Sequence, residues 1–280
     1  RGHAARRRHD PRLPVRSADA ETDLVQRPEI PQFAKYPSLA GRVAFVTGGA
    51  SGIGADVVRA FVANDTRVAF VDIQDRAGKA LARETGAMFI SCDITDIVAL
   101  QAAIEEVRKK LGPIGILINN AANDDRREID AVTEEYWDGS QAINLKPQFF
   151  AAQAVRPHMK QLGSGAIVNF SSIAWKGGAA NMPAYATAKA AIIGLTRALA
   201  RGFGADNIRV NAIEPGAVMT DRQRELWYKT QESIDAMVQR QVLQRVLLGD
   251  EIARTVLFLC ADDSQMITKQ TFTVDAGLSS

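Results

Sequence analysis

The feature that most constrains the fold is an apolar strand that runs directly into a glycine-rich turn and then into a helix. Residues 42–47 form the strand pattern, residues 48–54 read GGASGIG, and residues 55–62 carry apolar side chains at helical spacing. Such a turn brings backbone N–H groups and a helix N-terminus against a pyrophosphate. Glycine is needed where a side chain would collide with the phosphates. The segment therefore predicts the first unit of a parallel α/β sheet that binds a dinucleotide.

A second apolar strand follows the helix and ends in an acid. Its residues, Arg67–Asp72, read RVAFVD. A carboxylate at this position accepts hydrogen bonds from the hydroxyls of an adenosine ribose and repels a 2′-phosphate. The neighbouring positions, Gly49, Ser51 and Ile73, offer no arginine that would bind such a phosphate. The pattern predicts NAD, and not NADP, as the cofactor.

The remaining chain continues to alternate short apolar strands with helices. This alternation predicts one α/β domain of the doubly wound, Rossmann type, with a seven-stranded parallel sheet and helices on both faces. Residues 1–37, rich in Arg, Pro, Asp and Glu, are expected to be a disordered N-terminal extension, and residues 38–280 are expected to be the domain. The further expected elements are strands at 88–91, 114–118, 166–170, 208–213 and 271–274, a helix at 97–111, and a helix at 136–155 that is interrupted near Asn144.

Composition and charge exclude several classes of protein. The net charge is only +2, which does not suggest a nucleic-acid groove, and no apolar run is long enough to span a bilayer. Cys92 and Cys260 lie in apolar contexts, so we expect buried, reduced thiols and a cytoplasmic location, and no metal site. Of the three histidines only His158 lies outside the N-terminal tail. No G-x-S-x-G motif accompanies it, so we expect a surface residue and no Ser–His hydrolase.

A candidate general base follows the strand at 166–170. Tyr185 and Lys189 are four positions apart, so they share one face of a helix. A cation beside a tyrosine favours the phenolate, and a serine hydroxyl, from Ser171 or Ser172, would hold the oxygen that exchanges the proton. Tyr-x-x-x-Lys is a frequent accident by itself. Its meaning depends on whether a hydride acceptor lies next to it.

Together these residues resemble the short-chain dehydrogenase/reductase family over residues 39–277. Several independent motifs occur in the family's order, which makes coincidence a poor explanation. The motif after the fourth strand is NNAA where NNAG is commoner, and both forms keep small residues. The matching residues are Thr47, Gly48, Gly52, Gly54, Asp72, Asp93, Asn119, Asn120, Ala121, Asn144, Ser172, Tyr185, Lys189, Asn211, Pro215 and Gly216.

The resemblance implies a role for each of these positions. Tyr185 would be the acid/base, and Ser172, thirteen positions earlier, would hold the substrate oxygen. Lys189 would bind the nicotinamide ribose and lower the pKa of the tyrosine, and Asn144 would hold a water that links Lys189 to solvent. The implied cofactor contacts are Gly48, Ser51, Gly52, Ile53, Gly54, Asp72, Ile73, Asp93, Ile94, Asn120, Ala121, Ala122, Tyr185, Lys189, Pro215, Gly216, Val218 and Thr220.

Other stretches resemble the aldose 1-dehydrogenase branch of this family, which oxidises xylose, arabinose, galactose or fucose to the lactone. The segment after NNAA is very polar, and a sugar requires several directional hydrogen bonds. Asn123 and Trp175, with Ser172 and Tyr185, are the expected substrate contacts; Trp227 is a second aromatic that would stack on a sugar ring. The plainer expectation is that residues 124–127 form a solvated loop and that Trp227 packs inside a lid.

Residues 219–247 are expected to be the lid that closes over the substrate. The resemblance also implies a homotetramer that uses the helices at 136–160 and 185–203, with a small sugar or polyol as the partner and no nucleic acid or membrane. Two rivals remain: a reductase of 3-oxoacyl thioesters, against which Asp72 speaks, and a dinucleotide-binding regulator without turnover. The sequence does not name the sugar or its anomer.

Overall fold

The computed structural model of the chain describes residues 32–279, so most of the predicted extension lies outside the described residues. The described part forms seven strands and nine α-helices. The strands are β1 Val43–Thr47, β2 Arg67–Asp72, β3 Met88–Ser91, β4 Ile116–Asn119, β5 Gly165–Phe170, β6 Ile208–Pro215 and β7 Thr271–Val274. The helices are α1 Gly52–Val62, α2 Asp75–Thr85, α3 Ile97–Leu111, α4 Glu134–Asn144, α5 Lys146–Leu162, α6 Pro183–Phe203, α7 Asp221–Leu226, α8 Gln231–Gln239 and α9 Gly249–Cys260.

The seven strands form one parallel sheet in the order β3-β2-β1-β4-β5-β6-β7. The chain first builds outward from β1 to β3 and then returns to the other side of β1 with β4. Thr47 at the end of β1 pairs with Asn119 at the end of β4. A crevice opens beyond the carboxyl ends of the strands at such a reversal, and this is where sheets of this class bind ligands.

Helices cover both faces of the sheet, as the strand–helix alternation predicts. Every residue of β1 is buried, and its side chains alternate between two apolar layers. One layer includes Phe61 of α1 and Leu257 of α9. The other includes Leu100 of α3 and Val155 of α5. Burial on both faces explains why the strands read as continuous apolar runs.

The predicted interruption near Asn144 is confirmed. α4 ends at Asn144, Leu145 has φ −124° and ψ −56°, and α5 starts at Lys146. Pro147 lies in the first turn of α5, where its missing N–H costs no hydrogen bond. The break leaves Asn144 at the end of a helix and fully buried.

Two expectations are wrong: that the packed domain begins at residue 38, and that His158 is a surface residue. Phe33 packs against the apolar layer of α1 and α9, and the Tyr36 amide donates to Asn64 Oδ1 at 2.8 Å, so the packed domain begins before residue 38. His158 is buried, because α5 packs against both the sheet and α3. Burial lowers the pKa of His158.

The lid segment, residues 219–247, has a small apolar cluster of its own. Met219, Ile234 and Met237 belong to it. The two ends of the segment lie side by side, because the Met219 amide donates to Leu247 O at 2.8 Å and Val218 bridges Leu247. α7 and α8 therefore form a flap on a narrow base, and closure of this flap stays a prediction.

No helix within residues 32–279 combines the length and the apolar character needed to cross a bilayer. Over the same residues, no group of three or more His, Cys, Asp or Glu is placed to hold a metal ion. Cys92 and Cys260 are free, buried thiols, as predicted. Burial raises the pKa of Cys260 to about 12, so this thiol stays protonated.

Candidate active site

The glycine turn after β1 has no room for side chains. A Cβ added at Gly54 would lie 1.9 Å from Gly48 O, and one at Gly49 would lie 2.6 Å from Phe70 Cβ. A Cβ at Gly48 would lie 2.7 Å from Ala121 Cα, and Gly48 has φ +66°. These glycines let β1, β2 and the end of β4 approach one another at the switch point.

The turn leads straight into the N-terminus of α1. Ser51 is the residue before the helix, and Gly52 opens it with φ +53°. The first amides of a helix have no carbonyl partner inside it, and they point along the positive end of the helix dipole. Gly52, Ile53 and Gly54 are those residues, so this surface fits a pyrophosphate.

Asp72 lies beside the turn, at the end of β2. Its carboxylate accepts from the Ala50 amide at 3.0 Å and from the Gln74 amide at 2.9 Å. The residue is buried, while Ile73 next to it is 71% exposed. A fixed carboxylate at this edge of the crevice fits the ribose-binding role that the sequence predicts.

Asn120 fastens the end of β4 to the glycine turn. Its Nδ2 donates to Thr47 O at 3.1 Å and to Gly48 O at 2.9 Å. The amides of Asn120 and Ala121 both donate to Thr47 Oγ1, at 3.1 and 3.2 Å. The side chain of Asn120 thus shapes the cofactor crevice, and a ribose contact from this segment stays a prediction.

The other predicted cofactor residues lie on either side of the glycine turn. Ile94 is buried just beyond the end of β3, and the exposed Asp93 carboxylate accepts from the Thr95 amide at 2.9 Å. On the opposite side, Gly216 follows β6. Thr220 caps α7 by accepting from Gln223 N at 3.3 Å, and its methyl carbon is 3.2 Å from a Cβ built at Gly52. The lid therefore begins over the glycine turn.

Tyr185, Lys189 and Ser172 come together at the carboxyl edge of β5. Lys189 Nζ lies 5.3 Å from the centroid of the Tyr185 ring, and the Ser172 hydroxyl is near enough to act on the phenol by lowering its pKa. Ser171 is buried, and its hydroxyl donates to Lys189 O at 2.7 Å. The Ser171 hydroxyl is thus already used, and the role of Ser172 as the holder of the substrate oxygen stays a prediction.

The charges of this pair are set mainly by burial. Lys189 Nζ donates to Phe170 O at 2.9 Å, and burial lowers the pKa of Lys189 to about 7. Burial also raises the pKa of Tyr185, Asp124 raises it further, and the Ser172 hydrogen bond opposes both. The pKa of Tyr185 in the chain by itself is therefore raised, because loss of solvation disfavours the phenolate, and the lowering of this pKa by Lys189 stays a prediction.

Asn144 holds the loop that follows β4. Its Oδ1 accepts from the Asn123 amide at 2.9 Å, and its Nδ2 donates to Asn123 O at 3.1 Å and to Ser140 O at 3.0 Å. The side chain thus bonds the main chain of two segments. Its role as the holder of a water near Lys189 stays a prediction.

The expectation of a solvated loop at 124–127 is wrong for Asp124 and Arg126, which contact the lid, while Arg127 is exposed. The Asp124 side chain is only 18% exposed, and it accepts from Arg222 Nε at 3.0 Å and Gln223 Nε2 at 2.7 Å. Further along the loop, the Arg126 guanidinium lies 3.8 Å above the Trp227 ring, so this indole contacts the loop as well as the lid. Sequence reasoning missed these contacts because the partners are nearly one hundred positions apart, with no local pattern to join them.

Trp175, a predicted substrate contact, is anchored by a buried carboxylate that sequence reasoning also missed. Its Nε1 donates to Glu214 Oε1 at 2.8 Å, and Glu214 is fully buried. Lys176 Nζ lies 2.6 Å from the other carboxylate oxygen, which also accepts from Thr273 Oγ1 at 2.9 Å. Trp175 stays 37% exposed, so the residue is held in place with part of its surface open to solvent.

A glycine turn at the switch point of a doubly wound sheet, with a Ser–Tyr–Lys group at the same edge, defines a nicotinamide-dependent oxidoreductase. The family model described as enoyl-(acyl carrier protein) reductase matches residues 48–279. The chain belongs to the short-chain dehydrogenase/reductase family.

Its relatives include several sugar dehydrogenases. The chain is 49% identical over 251 residues to a probable galactose dehydrogenase of Rhizobium meliloti (88% of this chain and 98% of that protein). It is 41% identical over 249 residues to D-xylose 1-dehydrogenase of Caulobacter vibrioides, with 87% and 98% covered. The ligand-free aldohexose dehydrogenase of Thermoplasma acidophilum has a similar structure, with TM-score 0.81, 29% identity and 87% and 96% covered. The predicted resemblance to the aldose dehydrogenase branch is confirmed.

Proposed function

We propose that the protein is an NAD-dependent dehydrogenase that oxidises the C1 hydroxyl of a cyclic aldose to the lactone, with Tyr185 as the general base. The observation that carries the proposal is the placement of Tyr185, Lys189 and Ser172 together, with Lys189 Nζ 5.3 Å from the centroid of the Tyr185 ring, at the edge where the glycine turn lies. The galactose and xylose dehydrogenases among the relatives support an aldose as the substrate class.

The cofactor would be held by the crevice at the switch point. The amides of Gly52–Gly54 would bind the pyrophosphate, and Asp72 would accept from the adenosine ribose. The buried carboxylate of Asp72 would repel a 2′-phosphate, so NAD is the preferred cofactor. When bound, the nicotinamide accepts the hydride from C1 of the sugar.

The chain's own side chains handle the proton. Ser172 donates a hydrogen bond to the C1 oxygen and orients it towards Tyr185, which takes the hydroxyl proton as phenolate. Because burial raises the pKa of Tyr185, the phenolate needs a nearby positive charge, and Lys189, whose pKa is about 7, would supply that charge in its protonated form. In this proposal a water held by Asn144 returns the proton to solvent, while the lid excludes other water.

The sugar's other hydroxyls would meet polar groups at the mouth of the site. The main chain of Asn123 is fixed by Asn144, and its Oδ1 accepts from Arg222 Nη2 at 2.9 Å. The amide Nδ2 of Asn123 would donate to a hydroxyl group. The anchored, partly exposed indole of Trp175 would stack on the apolar face of the sugar ring.

The first test is Tyr185→Phe, with formation of NADH measured on a panel of pentoses, hexoses and deoxyhexoses. Loss of the base should lower kcat/KM by about a thousandfold, since general-base catalysis contributes on this order. Binding of NADH, followed by fluorescence, should be unchanged. Tyr36→Phe is the matched control. Tyr36 lies at the start of the domain and bonds Asn64 through its main-chain amide, so loss of its hydroxyl should leave the rate unchanged. An unaltered rate in Tyr185→Phe would remove the mechanism.

The description of the matching family model favours one second candidate, a reductase of acyl thioesters. That description concerns an enoyl thioester, and the alternative that the sequence leaves open is a 3-oxoacyl thioester. Comparing the rate of aldose oxidation with NAD with the rates of enoyl and 3-oxoacyl thioester reduction with NADPH and with NADH separates these functions. A non-catalytic dinucleotide-binding regulator would show none of these rates and would still bind the cofactor.

A further inference from the structure

The main-chain carbonyl of Phe170, at the end of β5, accepts from two side chains. The ladder between β4 and β5 ends one residue earlier, at the pair Asn119–Asn169. Lys189 Nζ donates to Phe170 O at 2.9 Å, and Gln148 Nε2 of α5 donates to it at 3.3 Å. The lysine of the proposed catalytic group therefore shares its main-chain acceptor with a neutral amide.

Gln148 reaches this carbonyl because of the break between α4 and α5. In an uninterrupted helix the amide of each residue bonds the carbonyl four positions earlier. Here the Gln148 amide donates to Leu145 O at 3.2 Å, and it is the Gln148 side chain that donates to Asn144 O, at the longer distance of 3.5 Å. The break thus turns this side chain towards two main-chain carbonyls, one at the end of α4 and one at the end of β5.

The orientation of the Gln148 amide follows from its partners. The residue is 3% exposed, and the carbonyls of Phe170 and Asn144 can only accept hydrogen bonds. The nitrogen must therefore face them, since the amide oxygen would be repelled. Oε1 is buried and has no hydrogen-bond partner among residues 32–279. This buried side chain is therefore held through its nitrogen, at the two carbonyls.

Two donors that meet at one carbonyl oppose each other. Both carry positive hydrogens, which repel, and the negative charge of Phe170 O is divided between them, so Gln148 weakens the hold of this oxygen on the Lys189 ammonium. Lys189 is buried, and its Nζ lies 5.3 Å from the centroid of the Tyr185 ring. An ammonium that the main chain holds less firmly is more available to its other partners.

We propose that Gln148 is a positioning residue: by sharing the Phe170 carbonyl, its amide keeps the Lys189 ammonium free to serve the nicotinamide ribose and the Tyr185 phenolate. The inference rests on the proposed function, because it takes Lys189 and Tyr185 as a catalytic pair. Gln148 acts through the lysine and contacts neither sugar nor cofactor. A purely structural Gln148 would fasten α5 to β5, and its loss would lower stability without altering the lysine.

The other groups that face Lys189 stay the same when only Gln148 is changed. On its own helix the titratable neighbour is Tyr185. Burial lowers the pKa of Lys189 to about 7, and the Asp124 carboxylate of the loop after β4 opposes this shift. The neutral groups of the neighbouring segments are Ser171 and Ser172 after β5, Asn144 of α4 and Gln148 of α5. A change in the lysine therefore reports on the shared carbonyl.

The first test compares Gln148→Met, which keeps the side-chain length and removes the amide, with Thr196→Val. Thr196 accepts from Asn169 Nδ2 at 3.0 Å, so the valine leaves another buried amide without its acceptor and does not alter the Phe170 carbonyl. Both variants should lose stability in urea. The Kd for NADH, from fluorescence titration, should rise about fivefold in Gln148→Met, the size of one net hydrogen bond, and stay unchanged in Thr196→Val. Equal Kd changes in both variants, or none in Gln148→Met, would overturn the proposal.

The second test is the pH dependence of stability without cofactor. A lysine held more firmly by the carbonyl keeps its proton to higher pH, so the pKa of Lys189 should rise in Gln148→Met. Stability increases with pH where the unfolded chain binds more protons than the folded chain, and this increase should begin at higher pH in Gln148→Met than in the wild type or Thr196→Val. In a Lys189→Met background the difference should vanish. An unshifted increase, or a shift that persists in that background, contradicts the proposal. Gln148→Leu should repeat both results and replaces Gln148→Met if the methionine variant does not fold.

Failure of this inference differs from failure of the proposed function. NADH affinity and the pH dependence of unfolding are both measured without a sugar. A wild type that oxidises no aldose, with both changes present in Gln148→Met, contradicts only the sugar dehydrogenase function. An active wild type in which Gln148→Met alters neither quantity contradicts only the role of Gln148.

Discussion

Single residues around the site are positioned mostly by hydrogen bonds from buried polar side chains to the main chain. Asn144 bonds the backbone of Asn123, Asn120 bonds the backbone at the glycine turn, and Ser171 bonds the backbone of Lys189. Buried polar groups need such partners, because an unpaired one costs about 1–3 kcal/mol. These bonds fix the segments that carry the proposed site residues, including the main chain at Lys189.

Glu214 should be one of the residues most sensitive to a conservative change. Glu214→Gln places an amide nitrogen or a neutral oxygen among three donors and removes the partner of Lys176, so we expect about 2 kcal/mol of destabilisation. The free energy of unfolding is measured by chemical denaturation of the wild type and the variant. The control is Glu105→Gln on α3, which also loses a cationic partner, Arg108, but is 42% exposed and should change stability much less than Glu214→Gln. Equal losses in both variants would contradict the buried role of Glu214.

Lys189 should make the stability of the cofactor-free protein depend on pH. Burial lowers its pKa from 10.5 to about 7, so between these values the unfolded chain binds more protons than the folded chain. Stability therefore rises with pH in this window, by up to about 1.4 kcal/mol per unit. Urea unfolding from pH 7 to 9 should show this slope in the wild type and a smaller one in Lys189→Met. A substitution of the exposed Lys79 by Met should retain the wild-type slope.

Whole elements show which parts of this molecule a sequence determines locally. The strands, the glycine turn and the break before Pro147 follow from patterns within about ten residues, so they could be predicted. The bonds between Asp124 and α7 and between Trp175 and Glu214 join segments far apart in the chain, so no periodicity reveals them. Burial of His158 depends likewise on how α5 packs against α3, and this packing cannot be predicted from the local sequence of α5.

The glycine turn as an element gives a sharp prediction. Gly54→Ala would place a Cβ 1.9 Å from Gly48 O, so the turn must open and its amides must leave the pyrophosphate site. We expect cofactor binding to be lost and the melting temperature to fall. Gly202→Ala is the control, because nothing lies within 4 Å of its added Cβ and alanine favours a helix by about 0.5–1 kcal/mol. Cofactor affinity is measured by fluorescence titration, and an unchanged affinity in Gly54→Ala would contradict the assigned role of the turn.

At the scale of the whole molecule, the α4–α5 surface presents aromatic side chains to solvent in the single chain. Trp137 on α4 is 36% exposed and Phe149 on α5 is 39% exposed. Large aromatic residues at a surface are typical of the central part of a protein–protein interface. This surface belongs to the helices through which the family resemblance implies a homotetramer, and α4 ends at Asn144, whose side chain bonds the loop after β4. Association through α4 and α5 would therefore stabilise α4 and, through Asn144, the loop after β4.

The last prediction concerns this assembly. Analytical ultracentrifugation of the protein should give four times the chain mass of 30.3 kDa. Phe149→Glu would bury a charge in the interface, so this variant should sediment as a smaller species and lose activity as α4 and Asn144 become less rigid. Val98→Glu is the matched control: Val98 is 77% exposed at the start of α3, where a negative charge suits the helix dipole, and its tetramer should persist. A wild-type monomer would refute the assembly, and a tetrameric Phe149→Glu would move the interface away from α5.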